Sequence, residues 1–227
     1  MPELALASWS GGKDSMLALL AARAAGVEVR WLLAMLDETG AKLRSHGVSL
    51  ALMRAQAHAL GAELVASPAS WDDYEAVFTA RLRELAALGA KSVVFGDIDL
   101  QAHRDWEERV CLQAGLQAML PLWGRQRPGL AHEFIALGYK ARVVCVDNRF
   151  LPGTFCGRLF DADFIADLPH GVDACGENGE FHTFVFDGPG FVQPVAHHVR
   201  AFSAYTTPQR FGAVRYTFAQ LEPEHAG

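Results

Sequence analysis

Five alanine-rich, helix-forming stretches of this 227-residue chain end on a glycine, at Gly26, Gly61, Gly89, Gly115 and Gly138. Glycine suits a left-handed helix stop because it lacks the Cβ that makes that conformation costly. Between the stops lie short apolar runs rich in Leu, Val and Trp: LALASW, VEVRWLLAML, AELVAS and SVVFGD. Nearly continuous apolar strands separated by helices predict a parallel sheet covered on both faces and joined by right-handed crossovers. The first half therefore reads as an α/β, doubly wound parallel sheet. The spacing of the repeats is irregular, which excludes a solenoid.

Past Leu122 the rhythm changes. WGRQRPG clusters polar, Gly and Pro residues, and one more helix and the strand ARVVCVD follow. Gly- and Pro-punctuated segments then read as a second, smaller α+β domain. The expected division is 1–124 and 125–227, with the closing LEPEHAG read as a frayed tail. At 51% hydrophobic and 20% charged the composition is that of a soluble globular protein. A net charge of -6 gives no broad basic field for a nucleic-acid backbone, so a nucleic-acid substrate is not expected. No apolar run reaches the roughly 18 residues of a membrane helix, and the chain opens on a strand, not a leader, so a cytoplasmic protein with no membrane partner is expected. Cys111, Cys145, Cys156 and Cys175 form no Cys-x-x-Cys pair and read as free thiols.

The stretch LALASWSGGKDSMLALLAARAAG joins the first strand to the first helix. A Walker A loop is excluded, because Ala7 stands at its first glycine position and Asp14 at its Ser/Thr position. A strand, a tight Ser10-Gly11-Gly12 turn and a helix starting near Asp14 or Ser15 still aim backbone N–H groups and a helix N-terminus at an anion. Lys13 adds a point charge. Asp14 makes sense there if a divalent cation lies between it and the phosphates. Asp97 follows the strand SVVF and should emerge at the carboxyl edge of the sheet, where doubly wound folds bind ligands. It is a metal or nucleotide ligand, or else a turn carboxylate.

SGGKDS resembles the signature of the PP-loop ATP pyrophosphatases, which include GMP synthetase, asparagine synthetase, argininosuccinate synthetase and the lysidine-forming tRNA ligase. ACGENGEFHTFVFDGP, from Ala174 to Pro189, resembles the Glu-rich block of the diphthine-ammonia ligase family. FGDI at Phe95 to Ile98, ERVCLQAGLQAMLPLW at Glu108 to Trp123, read as a helix and turn, and GRLFD at Gly157 to Asp161 are similar to further blocks of that family. Asn178 stands where the family usually has glycine, and His182 where it often has glutamate.

The resemblance implies an adenine nucleotide α hydrolase fold of about five parallel strands, with ATP and Mg²⁺ as cofactors. Ser10, Gly11, Gly12, Lys13, Asp14 and Ser15 would hold the β and γ phosphates, with Gly96 and Asp97 in the same site and Asp14 and Asp97 on the metal. It further implies an AMP-forming amide ligase acting on a small-molecule or protein-borne carboxylate and ammonia. A homodimer is left open.

Glu177 and Glu180, three residues apart around Asn178-Gly179, are expected to face one pocket and bind ammonium or take its proton; the alternative is an acidic surface turn. Lys13, Asp14, Glu177 and Glu180 are thus the catalytic candidates, and Arg104, Arg109, Asn178 and Thr183 the substrate candidates. For the two arginines, solvated helix-face charge is the favoured account. His46, His103 and His182 flank these segments, and Cys175 adjoins the Glu block as a buried small residue. Two other functions compete: a PP-loop sulfur transferase, which would favour a cysteine pair and a basic surface, and a nucleotide-binding sensor without turnover.

Overall fold

The computed structural model describes residues 2–209 and 212–224. Five parallel strands form the first sheet: β1 (Leu4–Ser8), β2 (Glu28–Leu36), β3 (Glu63–Pro68), β4 (Ser92–Val94) and β5 (Gln117–Met119), in the order β3-β2-β1-β4-β5. Four helices make the crossovers: α1 (Lys13–Ala24), α2 (Leu50–Ala59), α3 (Tyr74–Ala87) and α4 (Gln101–Gln113). The glycines at the helix ends all take left-handed φ, from 64 to 107°. At Gly26, Gly61, Gly115 and Gly138 an added Cβ would meet nothing, so backbone conformation and not crowding calls for glycine there.

The apolar run of β2 divides by the two-residue period of a strand: Leu32, Ala34 and Leu36 face one core, Trp31, Leu33 and Met35 the other. The second core lies under α3 and α4 and includes Phe78, Leu82, Phe95 and Val110. The first runs beneath α1 and α2 and continues into the rest of the chain. There, after α5 (Arg127–Ala136), come β6 (Lys140–Asp147), a 3-10 turn (Gly153–Phe155), α6 (Ala162–Ala166), β7 (Phe181–Asp187), β8 (His197–Thr206) and β9 (Arg215–Pro223). These strands form an antiparallel sheet in the order β7-β6-β9-β8. One apolar cluster therefore holds Met16 and Leu52 together with Phe134, Val144 and Phe184.

Two local readings change. The stretch from Glu108 to Trp123 contains a strand, β5, of only three residues, too short and too little buried to show a period. Leu221–Pro223 of the expected tail belong to β9, with Leu221 buried, whereas His225–Gly227 lie outside the described residues. Among the described residues no helix is long and apolar enough to cross a membrane.

The topology fixes where chemistry can happen. Ala7 of β1 pairs with Leu32 of β2 and Val94 of β4, so β1 and β4 end side by side. The loops that follow them, 9–12 and 95–100, leave the same carboxyl edge. β7 of the second sheet lies against the first of these loops: Val185 N donates to the Gly11 carbonyl at 2.9 Å.

Candidate active site

Buried side chains fix the SGGKDS loop from below. Gln56, fully buried, accepts from Trp9 Nε1 at 2.8 Å and donates to the carbonyls of Gly11 and Val185 at 3.0 and 2.6 Å. Gly11 has φ 70°, and a Cβ there would lie 2.7 Å from Gln56 Oε1. Gly12 N donates to Ser10 Oγ, and Lys13 N to Thr183 Oγ1 at 3.0 Å. Helix α1 then starts at Lys13 with no side-chain cap. Gly96 brings the β4–α4 loop against this helix start, where its Cβ would stand 2.8 Å from Ser15 N.

A cavity of about 620 Å³ opens over this junction. The loop side contributes Ser10, Gly12, Lys13, Asp14 and Ser15, and the β4–α4 side Gly96, Asp97 and His103. The far wall is Cys175 to Gly179 with Phe181, His182 and Thr183. Lys13 is buried; its Nζ donates to Asp14 Oδ2 at 2.7 Å and to the Cys175 carbonyl. Burial opposes the Lys13 charge, but Asp14, Cys175 and Glu177 outweigh it and hold the ammonium above its ordinary value. Burial raises the Asp14 carboxyl, with Lys13 offsetting part of the rise. Among the described residues no donor reaches the buried Asp14 Oδ1.

The two glutamates of the expected pair separate. Glu177 lines the cavity and accepts from Ile98 N at 3.3 Å. Burial, and next the charge of Asp14, push it up to about 7. Glu180, 2% exposed, turns inward instead: it accepts from Asn178 N at 3.0 Å, Asn178 Nδ2 at 2.9 Å and Asp173 N at 3.3 Å. Asp173 in turn accepts from the amides of Cys175 and Glu177, both at 3.0 Å. Spacing around a turn does not say which carboxylate points out. Here the second is spent holding the loop that carries the first.

The cavity also takes in residues left open by the sequence. His46 and His182 lie ring against ring, centroids 4.5 Å apart and planes tilted by 38°. Burial, then His182 and Lys13 beside it, hold His46 well below its ordinary value, and burial with Lys13 puts His182 at about 4, so both rings are neutral near pH 7. Asp97 bonds His103 Nδ1 at 2.7 Å and also the Glu107 carboxyl. Burial raises Asp97, but these two hydrogen bonds outweigh it, and burial with Asp97 pushes Glu107 up to about 10. Arg104 pairs with Glu108 and Arg109 with Glu75 on exposed faces of α4, and neither lines the cavity, in keeping with solvated helix charge. Three residues of this network carried no signal in the sequence: Glu107 sits in a run of mixed helix charges, Arg127 opens α5 within a Gly- and Pro-rich stretch, and Asp173 lies in a loop. Arg127 joins Asp99 through Nε at 2.8 Å, Asp173 at 2.9 Å and Asn178 at 3.1 Å, tying the far wall to the β4–α4 loop.

Residues 4–118 match the family model of the diphthamide synthase N-terminal domain, and residues 127–200 that of the diphthamide synthase C-terminal domain. Among curated proteins, the diphthine–ammonia ligase of Mus musculus is 33% identical over 110 residues, 46% of this chain and 41% of that protein. The Homo sapiens protein of the same name is 32% identical over 93 residues, 39% of this chain and 35% of its own. That of Danio rerio is 29% identical over 134 residues, 57% of this chain and 52% of that protein. The chain thus spans about half or less of the curated relatives it matches. A solved structure, a predicted subunit of tRNA methyltransferase from Methanocaldococcus jannaschii, aligns over 81% of this chain and 96% of that chain, with 16% identity and a TM-score of 0.43.

Proposed function

The chain belongs to the diphthamide synthase family, and from that premise we propose that it is an ATP-dependent, AMP-forming amide ligase. The observation that carries this reading is that the Lys13–Asp14 pair and Glu177 look onto one cavity from opposite walls. An oxygen of the acceptor carboxylate attacks the α-phosphorus of ATP and pyrophosphate leaves, giving an acyl-adenylate. Ammonia then attacks the acyl carbon, AMP leaves with its oxygen, and the nitrogen sheds a proton. The uncapped start of α1 and the Lys13 ammonium face the charge of the β and γ phosphates.

Mg²⁺ fits at Asp14, whose Oδ1 is buried without a donor, because magnesium takes one or two carboxylates and completes its shell with phosphate oxygens and water. When bound it would supply charge neutralisation for the leaving pyrophosphate. Asp97 is already shared by His103 and Glu107, so we assign it to holding those two side chains and not the cation. Glu177, with its carboxyl near 7, suits the proton of the incoming amine, since a base works best when its pKa lies near the working pH. Glu180, Asp173 and Arg127 position Glu177.

The sulfur-transfer reading loses support from the thiols. All four cysteines are buried, and burial pushes Cys111, Cys156 and Cys175 to about 12, far from a ready thiolate. The test of the ligase reading is product analysis with α-labelled ATP, candidate carboxylates and ammonia. AMP and pyrophosphate are expected. ADP and phosphate as products would refute it, and binding without turnover across the screen would favour the sensor.

A further inference from the structure

A second chamber, of about 580 Å³, adjoins the phosphate cavity and shares Ser8, Ser10, His46, Phe95, Asp97 and His103 with it. Its walls are aromatic: Trp9, Trp71, Tyr74, Phe95 and Trp106. Two of these indoles have spent their N–H groups, Trp9 on Gln56 and Trp106 on Glu75, so they offer the chamber apolar ring surface. Such walls take a flat heteroaromatic ring by stacking. Into this lining stands one deeply buried polar side chain, Glu107, 3% exposed. Its carboxyl hydrogen-bonds Asp97, and among the described residues no N–H or O–H group donates to its buried Oε2. A protonated carboxyl that donates a hydrogen bond to a neighbouring carboxylate keeps spare acceptor capacity. Arg44, 4.7 Å over the Trp71 ring, lines the same chamber, with a buried Nε that has no acceptor among the described residues.

We infer that the aromatic chamber holds the purine of the nucleotide and that Glu107 accepts a hydrogen bond from its 6-amino group, selecting adenine over a 6-oxo purine. The inference rests on the ATP reading above and deepens it by naming the residue that tells one purine from another. A 6-oxo purine turns a carbonyl oxygen toward an acceptor, and two facing acceptors in a closed site leave both without a partner, which is expensive to bury. Asp97 has a part in this, because it accepts a hydrogen bond from the protonated Glu107 carboxyl and so leaves Glu107 as an acceptor without a charge.

The experiment is a calorimetric titration of the full chain with Mg-ATP and with Mg-ITP, which differ at the 6 position. The wild type should prefer ATP by about tenfold or more. Glu107→Gln should keep the preference, since its amide nitrogen donates to Asp97 and its oxygen remains for the amino group. Glu107→Met, similar in volume but without the acceptor, should bring the two nucleotides within about twofold of each other. N6,N6-dimethyl-ATP, which has no N–H to give, should bind the wild type about as weakly as ITP does. An undiminished ATP preference in folded Glu107→Met overturns the inference, and so does equal binding of ATP, ITP and the dimethyl analogue by the wild type, which needs no variant to fold. ATP binding without that preference sinks the inference alone. Failure of the wild type to bind either nucleotide sinks the ATP reading along with it.

Discussion

The SGGKDS wall and the 173–180 wall face one cavity, but they are held in different ways. The first is fixed from outside itself: Gln56, Val185 and Thr183 come from distant parts of the chain to bond its backbone. The second has a frame of its own, with Asp173 and Glu180 accepting from the amides of residues within the same short segment, while Arg127, Lys13, Ile98 and the Asp147 amide tie it to the rest of the chain. A loop that presents charge to phosphates benefits from a frame that does not yield. A segment that carries the acid–base group can be tuned by changing its own carboxylates. The comparison teaches that similar acidic and basic residues do unlike work according to whether they face the cavity or the frame.

The largest effect should come from the phosphate wall. Lys13→Ala and Asp14→Ala each remove a charge that is worth most as pyrophosphate departs, and turnover should fall about 100-fold or more with the fold retained. Steady-state kinetics alongside circular dichroism checks this; folded variants with wild-type turnover would place the phosphates elsewhere.

The opposite wall should respond at the other half-reaction. Glu177→Gln should still bind ATP and exchange labelled pyrophosphate in the presence of the acid substrate, while amide formation falls by roughly 100-fold, the low end of what a lost acid–base group costs. In the wild type, amide formation should rise with pH through about 7 as Glu177 ionises, and that limb should vanish in Glu177→Gln. Glu180→Gln should keep the limb and lose only several-fold in rate, because its carboxylate touches the loop and not the cavity. If Glu180→Gln instead abolished the pH limb, the division of labour between the two carboxylates would be wrong.

The smallest effect concerns stability. Glu107 holds its proton to about pH 10 in the folded chain, whereas an ordinary glutamate releases it near 4.5. Between those values the native state binds more protons than the unfolded state, so this residue's contribution to stability falls as pH rises. Glu107→Gln removes that slope. Its melting temperature should exceed the wild type's at pH 8 and match it at pH 4. A constant difference across that window would contradict the buried, shared proton.

Much of the fold can be read from the sequence because its signals are local. The glycines closing each helix and the apolar runs between them need no distant partner to be recognised, and β1 to β4 fall where those runs stand. β5 escapes because three residues with an exposed Gln117 carry no period. The phosphate wall is legible for the same reason, being a contiguous string. The frame is not: Gln56 looks like any helix glutamine, and Glu107 like one more charge among Arg104, Asp105, Glu108 and Arg109, until the sheet brings Trp9 to the first and Asp97 to the second. Glu180 was visible as a carboxylate, but its direction depends on Asp173 and Asn178 folding back on it.

The bonds from Gly11 to Val185 and from Lys13 to Thr183, the latter spanning 170 positions, bear on how this nucleotide loop can be reused. A loop completed by a strand made so much later in synthesis is not a portable cassette. A ribosome that has released residues 1–124 has made every residue of the SGGKDS turn but neither of those partners, and α1 still lacks β7, against which it packs. Ligand competence should therefore wait until β7 has been made, and grafting the first 124 residues onto another protein would transfer the string without its frame.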